Sequence, residues 1–230
     1  MPDAREEKAD MRDMRKEGAG AYVRDVRLED AAYVRDVRLE DAVHLLNIYD
    51  YYVRETAVSF EWETPSLEEF VGRMKHIRER YPYLVAVDRG AVAGYAYAQP
   101  FVERTAYDWT CELTIYLDPQ VRRRGLGRLL YEALEQRLRA MGILDLYACI
   151  GVPHVEGRIK LNPTGSHALD DPHLSWDSPR FHEHLGFREV GHFDKCGYKF
   201  GRWYDMIWMG KTIGPHLEVQ PPVAWYPQRE

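Results

Sequence analysis

A mixed α/β sheet flanked by helices is the fold class this sequence predicts, and three observations carry the prediction. Short segments of period-two apolar alternation recur between segments of helical periodicity. Their order along the chain reads β-α-α-β-β-β-α-β-α-β-β, which favours a layered sheet with helices against it. Near the middle, a strand at Thr110–Leu117 runs into an Arg/Gly turn and then into an apolar helical stripe.

Residues 21–31 and 32–42 are identical copies of AYVRDVRLEDA, and MRDMRKE at 11–17 is a looser third version. Two copies are too few for a repeat fold, which needs stacked neighbours to bury a core. The second copy joins directly to the helical stripe that begins at Val43, so residues 32–214 are expected to form one domain. Residues 1–31 are expected to be an accessory or disordered arm, and 215–230, rich in proline, a loosely packed tail.

Tyr33 to Arg38 is the first strand. Asp41 is placed to cap a helix with apolar positions Val43, Leu46, Tyr49, Tyr52 and Val53. Ser66 and Glu69 are spaced as a capping box for a second helix, with the stripe Leu67, Phe70, Val71, Met74 and Ile77. Tyr81-Pro82 ends it, because a residue before proline avoids the helical region. Tyr83–Val87 and Val92–Ala98 flank DRGA, a hairpin signal. Thr110–Leu117 comes next, stopped by Asp118-Pro119. The third helix carries Leu126, Leu129, Leu130, Ala133, Leu134 and Leu138, and Gly142 closes it. Leu144–Ile150 reads as a largely buried strand, Phe181–Leu185 as a short helix ending at Gly186, and Glu189–Phe193 with Tyr204–Met209 as a last hairpin.

Composition narrows the function classes. The chain has 230 residues, 45% apolar and 30% charged, with a formal net charge of −6. That is enough for one sizeable core, and gives no general attraction to nucleic acid or an anionic membrane. No apolar run approaches the length of a membrane-spanning helix. Three cysteines, Cys111, Cys149 and Cys196, are too few for a disulfide framework. Cys111 and Cys149 fall in apolar strand patterns, where cysteine acts as a small buried hydrophobe. A cytoplasmic protein is the expectation.

The turn RRRGLG is a local basic spot in an acidic chain. A strand, a Gly-rich turn and a helix start together offer free N–H groups and the positive end of the helix dipole to phosphate oxygens. The same pattern also occurs in ordinary turns. Upstream, Glu112 lies mid-strand, where glutamate is disfavoured and seldom buried without a partner. Either its face is solvated or paired with an arginine, or it is a general base beside a phosphate-bearing ligand.

The strand carrying Glu112, followed by R-x-x-G-x-G at Arg122 to Gly127, resembles the acetyl-CoA site of the GNAT superfamily of N-acetyltransferases. YDWTCELTIYL, HEHLGF and GYKFGRWYD are similar, more narrowly, to the phosphinothricin N-acetyltransferase branch. The resemblance runs from about Tyr33 to Gly210. It implies a mostly antiparallel central sheet with a splayed strand pair holding acetyl-CoA, and no metal. It implies cofactor contacts at Ile115, Tyr116 and Leu117 from the strand, and at Arg123, Arg124, Gly125, Leu126, Gly127 and Arg128 from the turn. It places Glu112 as general base, His182 as the acid that protonates the thiolate, and Phe60, Arg104 and Tyr107 around the acceptor, with Trp203 nearby. The acceptor is then the α-amine of a small amino-acid analogue such as phosphinothricin, methionine sulfone or methionine sulfoximine. A non-catalytic acetyl-CoA sensor is the alternative. Relatives tend to be homodimers.

Two departures from the family pattern stand out. An asparagine expected to hold the cofactor is Ser175 here, with Asn162 a substitute. Residues 155–176 form an insertion containing His167, Asp170, Asp171 and His173. These are spaced like metal ligands, but a solvated loop, or a lid over the acceptor, is the reading adopted.

Overall fold

A computed structural model describes residues 32–121, 123–156 and 171–226. The duplicated arm, Arg122, and Asn162, His167 and Asp170 of the insertion lie outside the described residues. Seven strands form one sheet: β1 (Tyr33–Asp36), β2 (Tyr83–Asp88), β3 (Ala91–Pro100), β4 (Thr110–Leu117), β5 (Asp145–Pro153), β6 (Arg188–Lys199) and β7 (Arg202–Thr212). Their order is β1-β2-β3-β4-β5-β7-β6. Every neighbouring pair is antiparallel except β4 and β5. Four helices flank the sheet: α1 (Ala42–Glu55), α2 (Leu67–Arg78), α3 (Leu126–Met141) and α4 (Asp177–His184).

Strand alternation assigns the faces. Cys111 and Leu113 of β4 face α3, and with Leu126, Leu130, Tyr131, Leu134 and Leu138 they form the larger core. On the other face, α1 and α2 bury Leu45, Ile48, Val53, Phe70 and Met74 against Val85 and Tyr95. Ser66 caps α2 as the spacing predicts, its hydroxyl accepting from Glu69 N–H at 3.2 Å.

Several expectations are corrected. Asp41 does not cap α1 with its carboxylate, which instead accepts two hydrogen bonds from Arg35 and one from Arg38 N–H. The buried stripe of α1 is Ala42, Leu45, Ile48, Tyr49 and Val53, and Val43 is exposed, because a three-residue 3₁₀ turn at Leu39–Asp41 sets the helix phase. The last hairpin is longer than the sequence pattern shows. β6 and β7 continue to a two-residue turn in which Phe200 and Gly201 both have positive φ, the geometry that matches strand twist. Cys149 is exposed rather than buried, and it stands on β5 just beyond the pairing with β4.

The tail does not lie loose. Ala224 N–H donates to Met141 O and Tyr226 N–H to Arg80 O. Trp225 meets Tyr81 edge to face, with the Arg80 guanidinium over its ring. Tyr226 OH donates to Asp36 at 2.8 Å. Two aromatics supply apolar area that the proline-rich composition conceals. Trp225→Ala is expected to lower the unfolding free energy by about 1–3 kcal/mol, read from urea denaturation. An unchanged midpoint would mean that the tail only rests on the surface.

Candidate active site

The site begins where the sheet forks. β4 and β5 pair over only three residues, Thr110 with Asp145, Cys111 with Leu146 and Glu112 with Tyr147. β4 then continues to Leu117 paired with β3 alone, and β5 to Pro153 paired with β7 alone. Glu112 is therefore the last paired residue before the strands part. Asp118 N–H donates to Ala93 O on β3. Antiparallel strands alternate their hydrogen-bonding direction, so Tyr116 and Thr114 also turn their amides to β3. The amides of Leu113, Ile115 and Leu117 face the fork. Of the three strand residues expected to meet a cofactor, Ile115 and Leu117 turn their N–H groups to the fork, and Tyr116 turns its own to β3. Its ring instead packs among Tyr49, Tyr52 and Tyr95.

Glu112 is half-buried on the face away from the apolar core. Burial pushes its carboxyl above the usual glutamate value, against a hydrogen bond from Gln99 that acts the other way. Gln99 is its cross-strand partner and lines two hollows. One, of about 520 Å³, includes Arg104, Tyr107, Arg80 and Asp108. The other, of about 330 Å³, includes Arg73, Glu61, Tyr97 and Tyr116. Arg104 and Tyr107 thus share a cavity that reaches the partner of Glu112. Phe60 lines neither hollow, although its neighbour Glu61 lines the smaller one; its ring packs against Tyr204 and over Gly151 and Gly197. Trp203 is exposed and packs on Tyr198.

The turn after β4 has the form expected of an anion cradle. Gly125 is the N-cap of α3 with φ +77° and has no side chain to occupy the first-turn amides. Leu129 N–H donates to Gly125 O as the first bond of the helix, so the amides of Leu126, Gly127 and Arg128 precede any helical acceptor. The arginines divide. Arg124 turns back to pair with the buried Asp88 at the end of β2, and Arg128 stands 3.7 Å from Glu132 on its own helix. Arg123 has positive φ and is exposed. What Arg124 offers an anion is its backbone, not its guanidinium.

His182, on α4, is 2% exposed. Its Nδ1 lies 2.8 Å from Ser178 O, which can only accept, so the ring proton sits on Nδ1. Nε2 then accepts from Tyr131 OH at 2.8 Å. Burial pulls the imidazole pKa down to about 4, although the Ser178 bond opposes this. A neutral ring with its one N–H spent on a carbonyl has no proton to give a thiolate, so direct acid catalysis by His182 is not what the geometry favours. Tyr131 is the residue the sequence reading missed. It sits inside the apolar stripe of α3, next to Leu130, and reads as core. Ser175, at the position of the expected asparagine, uses its hydroxyl to accept from Asp177 N–H at the start of α4.

A model of the acetyltransferase (GNAT) domain matches residues 34–208. The chain belongs to the GNAT superfamily. It is 36% identical over 160 residues to a phosphinothricin N-acetyltransferase of Streptomyces viridochromogenes, covering 70% of this chain and 76% of that one. It is 32% identical over 139 residues to an L-methionine sulfoximine/L-methionine sulfone acetyltransferase of Pseudomonas aeruginosa, covering 60% and 69%. Its fold matches the crystal structure of a GNAT phosphinothricin acetyltransferase from Sinorhizobium meliloti in complex with acetyl-CoA. The TM-score is 0.70 at 34% identity, over 85% of this chain and 96% of that one. This GNAT enzyme is an N-acetyltransferase that uses acetyl-CoA, and the forked, mostly antiparallel sheet is the GNAT fold. The unpaired amides of β4 and the free first turn of α3 fit such a ligand.

Of the histidines and aspartates in the insertion, the two described are occupied within the protein. Asp171 pairs with Arg202 at 3.0 Å, and the His173 ring stacks on Phe200. No helix among the described residues is long and apolar enough to cross a membrane.

Neutral His182 carries a pH signature. Its pKa is depressed in the fold relative to about 6.5 in an unfolded chain, so its stabilising effect is complete above that value. It drains away as pH falls toward the folded value of about 4. In urea titrations between pH 7.5 and 4.5, His182→Gln is expected to lose less stability on acidification than the parent chain. Parallel curves would show that the imidazole titrates alike in the folded and unfolded chain.

Proposed function

We propose that this acetyltransferase transfers acetyl from acetyl-CoA directly to the α-amine of a small amino-acid analogue, with Glu112 as general base. The observation that carries the proposal is the position of Glu112 at the fork, one residue before the amides that turn away from β3. Acetyl-CoA supplies an activated thioester. Leu113, Ile115 and Leu117 offer N–H groups along the open edge, and Leu126, Gly127 and Arg128 offer theirs at the dipole end of α3. Preorganised N–H groups of this kind also stabilise an oxyanion where water is excluded.

An amine with a pKa near 8 is largely protonated at neutral pH. Glu112 takes that proton, directly or through one water, and its raised pKa brings it closer to the working range of a base. At the leaving side, Tyr131 OH spends its one proton on His182 Nε2, so neither member of this buried pair is assigned as the acid that protonates the thiolate. Arg104 holds the acceptor's carboxylate or phosphinate by two parallel bonds from within the larger hollow. The names of the Streptomyces and Pseudomonas relatives support phosphinothricin, methionine sulfoximine and methionine sulfone as the first acceptors to try. A homodimer is the expected assembly, for which exposed Val190, Phe193 and Trp203 on the β6–β7 hairpin offer apolar surface. A cytoplasmic location is in keeping with three free cysteines.

Thiol release from acetyl-CoA across a panel of amino-acid analogues tests the reading. Glu112→Gln is expected to lower kcat by about tenfold or more while leaving acetyl-CoA affinity intact. In the parent enzyme kcat/KM rises with pH as Glu112 ionises, at a pH above the ordinary glutamate range because burial has raised its pKa. That acid limb disappears in Glu112→Gln. An unchanged kcat, or an acid limb that survives the substitution, removes Glu112 from the role of base.

A further inference from the structure

Lys199, the last residue of β6, is a buried lysine that the chemistry above does not use. It is 3% exposed. Its Nζ donates to three main-chain carbonyls, Val53 O at 2.7 Å, Thr56 O at 2.9 Å and Ser59 O at 2.6 Å. An ammonium has three protons, and all three are used. Val53 and Thr56 lie at the C-terminal end of α1, where carbonyls lack helical partners and the dipole is negative. A buried cation suits that place.

The two ends of this contact belong to different halves of the forked sheet. α1 packs on the β2–β4 half, with Val85 and Tyr95. β6 lies beyond β5 and β7, on the far side of the opening. The three bonds therefore tie the halves together where β4 and β5 no longer pair. Beside them, Phe60 lies on two glycines. A Cβ on Gly197 of β6 would stand 2.4 Å from its ring, and one on Gly151 of β5 would stand 3.2 Å away. Gly151 shares its face with Tyr147, the register partner of Glu112. The next residue after Phe60, Glu61, pairs with Arg73 and lines the smaller hollow with Gln99.

We propose that Lys199 is a positioning residue for the acceptor: it staples residues 56–61 across the fork and so fixes Glu61 in the wall of the smaller hollow, which Gln99, the partner of Glu112, also lines. The proposal rests on the reading that the acceptor amine meets Glu112. None of the hydrogen bonds of Lys199 given above involves the turn at 123–128, so its effect separates from cofactor binding.

Two substitutions test it. Lys199→Met keeps length and apolar bulk but removes all three donors. Gly197→Ala leaves Lys199 intact and displaces Phe60. Each is expected to raise the acceptor KM by about tenfold or more, equivalent to ~1.4 kcal/mol, with the acetyl-CoA dissociation constant from calorimetry held within about twofold. In Lys199→Met the amides of 56–61 exchange with deuterium faster than in the parent. A folded variant with unchanged acceptor KM, or one whose acetyl-CoA affinity falls as far as its acceptor KM rises, overturns the proposal. If Lys199→Met does not fold, Gly197→Ala decides by the same split. If the parent enzyme acetylates no amine in the panel, the acceptor reading has failed. The staple is then judged by exchange alone, and unchanged protection of 56–61 sinks it.

Discussion

Two parallel strands that stop pairing after three residues leave main-chain donors and acceptors facing a gap, and buried groups of that kind need partners. This fork is the constraint on which the rest of the structure depends. β4 stays extended beyond it because β3 pairs along its whole other edge, and β5 because β7 does the same. The apolar side chains of both strands still point into the core beneath α3, so hydrophobic burial keeps the halves in one domain while hydrogen bonding lets them part. A ligand that can present acceptors along an extended edge completes the pairing. The fork also explains why residues on the far hairpin reach back to α1, since sheet hydrogen bonds are missing there.

The same architecture sorts the titratable groups. Glu112 and His182 are both shielded from water, and desolvation disfavours the charged form of each. The carboxyl is thereby raised and the imidazole lowered, in opposite directions from one cause. Glu112 is half-buried and has Gln99, which lines both hollows, as its hydrogen-bond partner, so its carboxyl stays close to solvent. His182 is bonded at both ring nitrogens and lines neither hollow. Asp205 shows the contrasting case. It is fully buried, and burial alone would raise its pKa, yet Lys195 N–H, His192 and His154 hold it below the usual range. Three donors make a structural carboxylate, whereas one donor leaves Glu112 suited to the base role proposed for it.

Much of this was legible in the sequence. The alternation of Thr110–Leu117 gave the strand, its faces and the exposure of Glu112 to the side opposite α3. The glycines before the stripe of α3 marked the turn at the helix start. What stayed hidden depends on three-dimensional partners. Whether Tyr116 or Leu117 offers its amide is a matter of which edge pairs with β3, and residue type carries no trace of it. Tyr131 hides in an apolar stripe because an aromatic ring suits a core whether or not its hydroxyl has a task. Lys199 reads as a solvated residue in a turn region, since nothing local announces three carbonyls from residues about 140 positions earlier or more. Trp225 and Tyr226 were masked by the prolines around them.

The arginine-rich turn bears on how a diphosphate is held. Sequence alone weights RRRG as a cluster of positive charge, but the structure commits Arg124 to Asp88 and leaves Arg123 and Arg128 at the surface. Charges at the surface are weakened by salt over a Debye length of about 8–10 Å. Backbone amides at a helix start are fixed in direction and cannot be titrated. In the reading proposed here, the grip on the anion rests mainly on Leu126, Gly127 and Arg128 N–H groups, with the exposed guanidiniums adding attraction during approach. Arg124 has a second use in this arrangement. By anchoring the turn to the end of β2, it holds those amides at a set distance from the open edge of β4, so that one extended ligand can reach both.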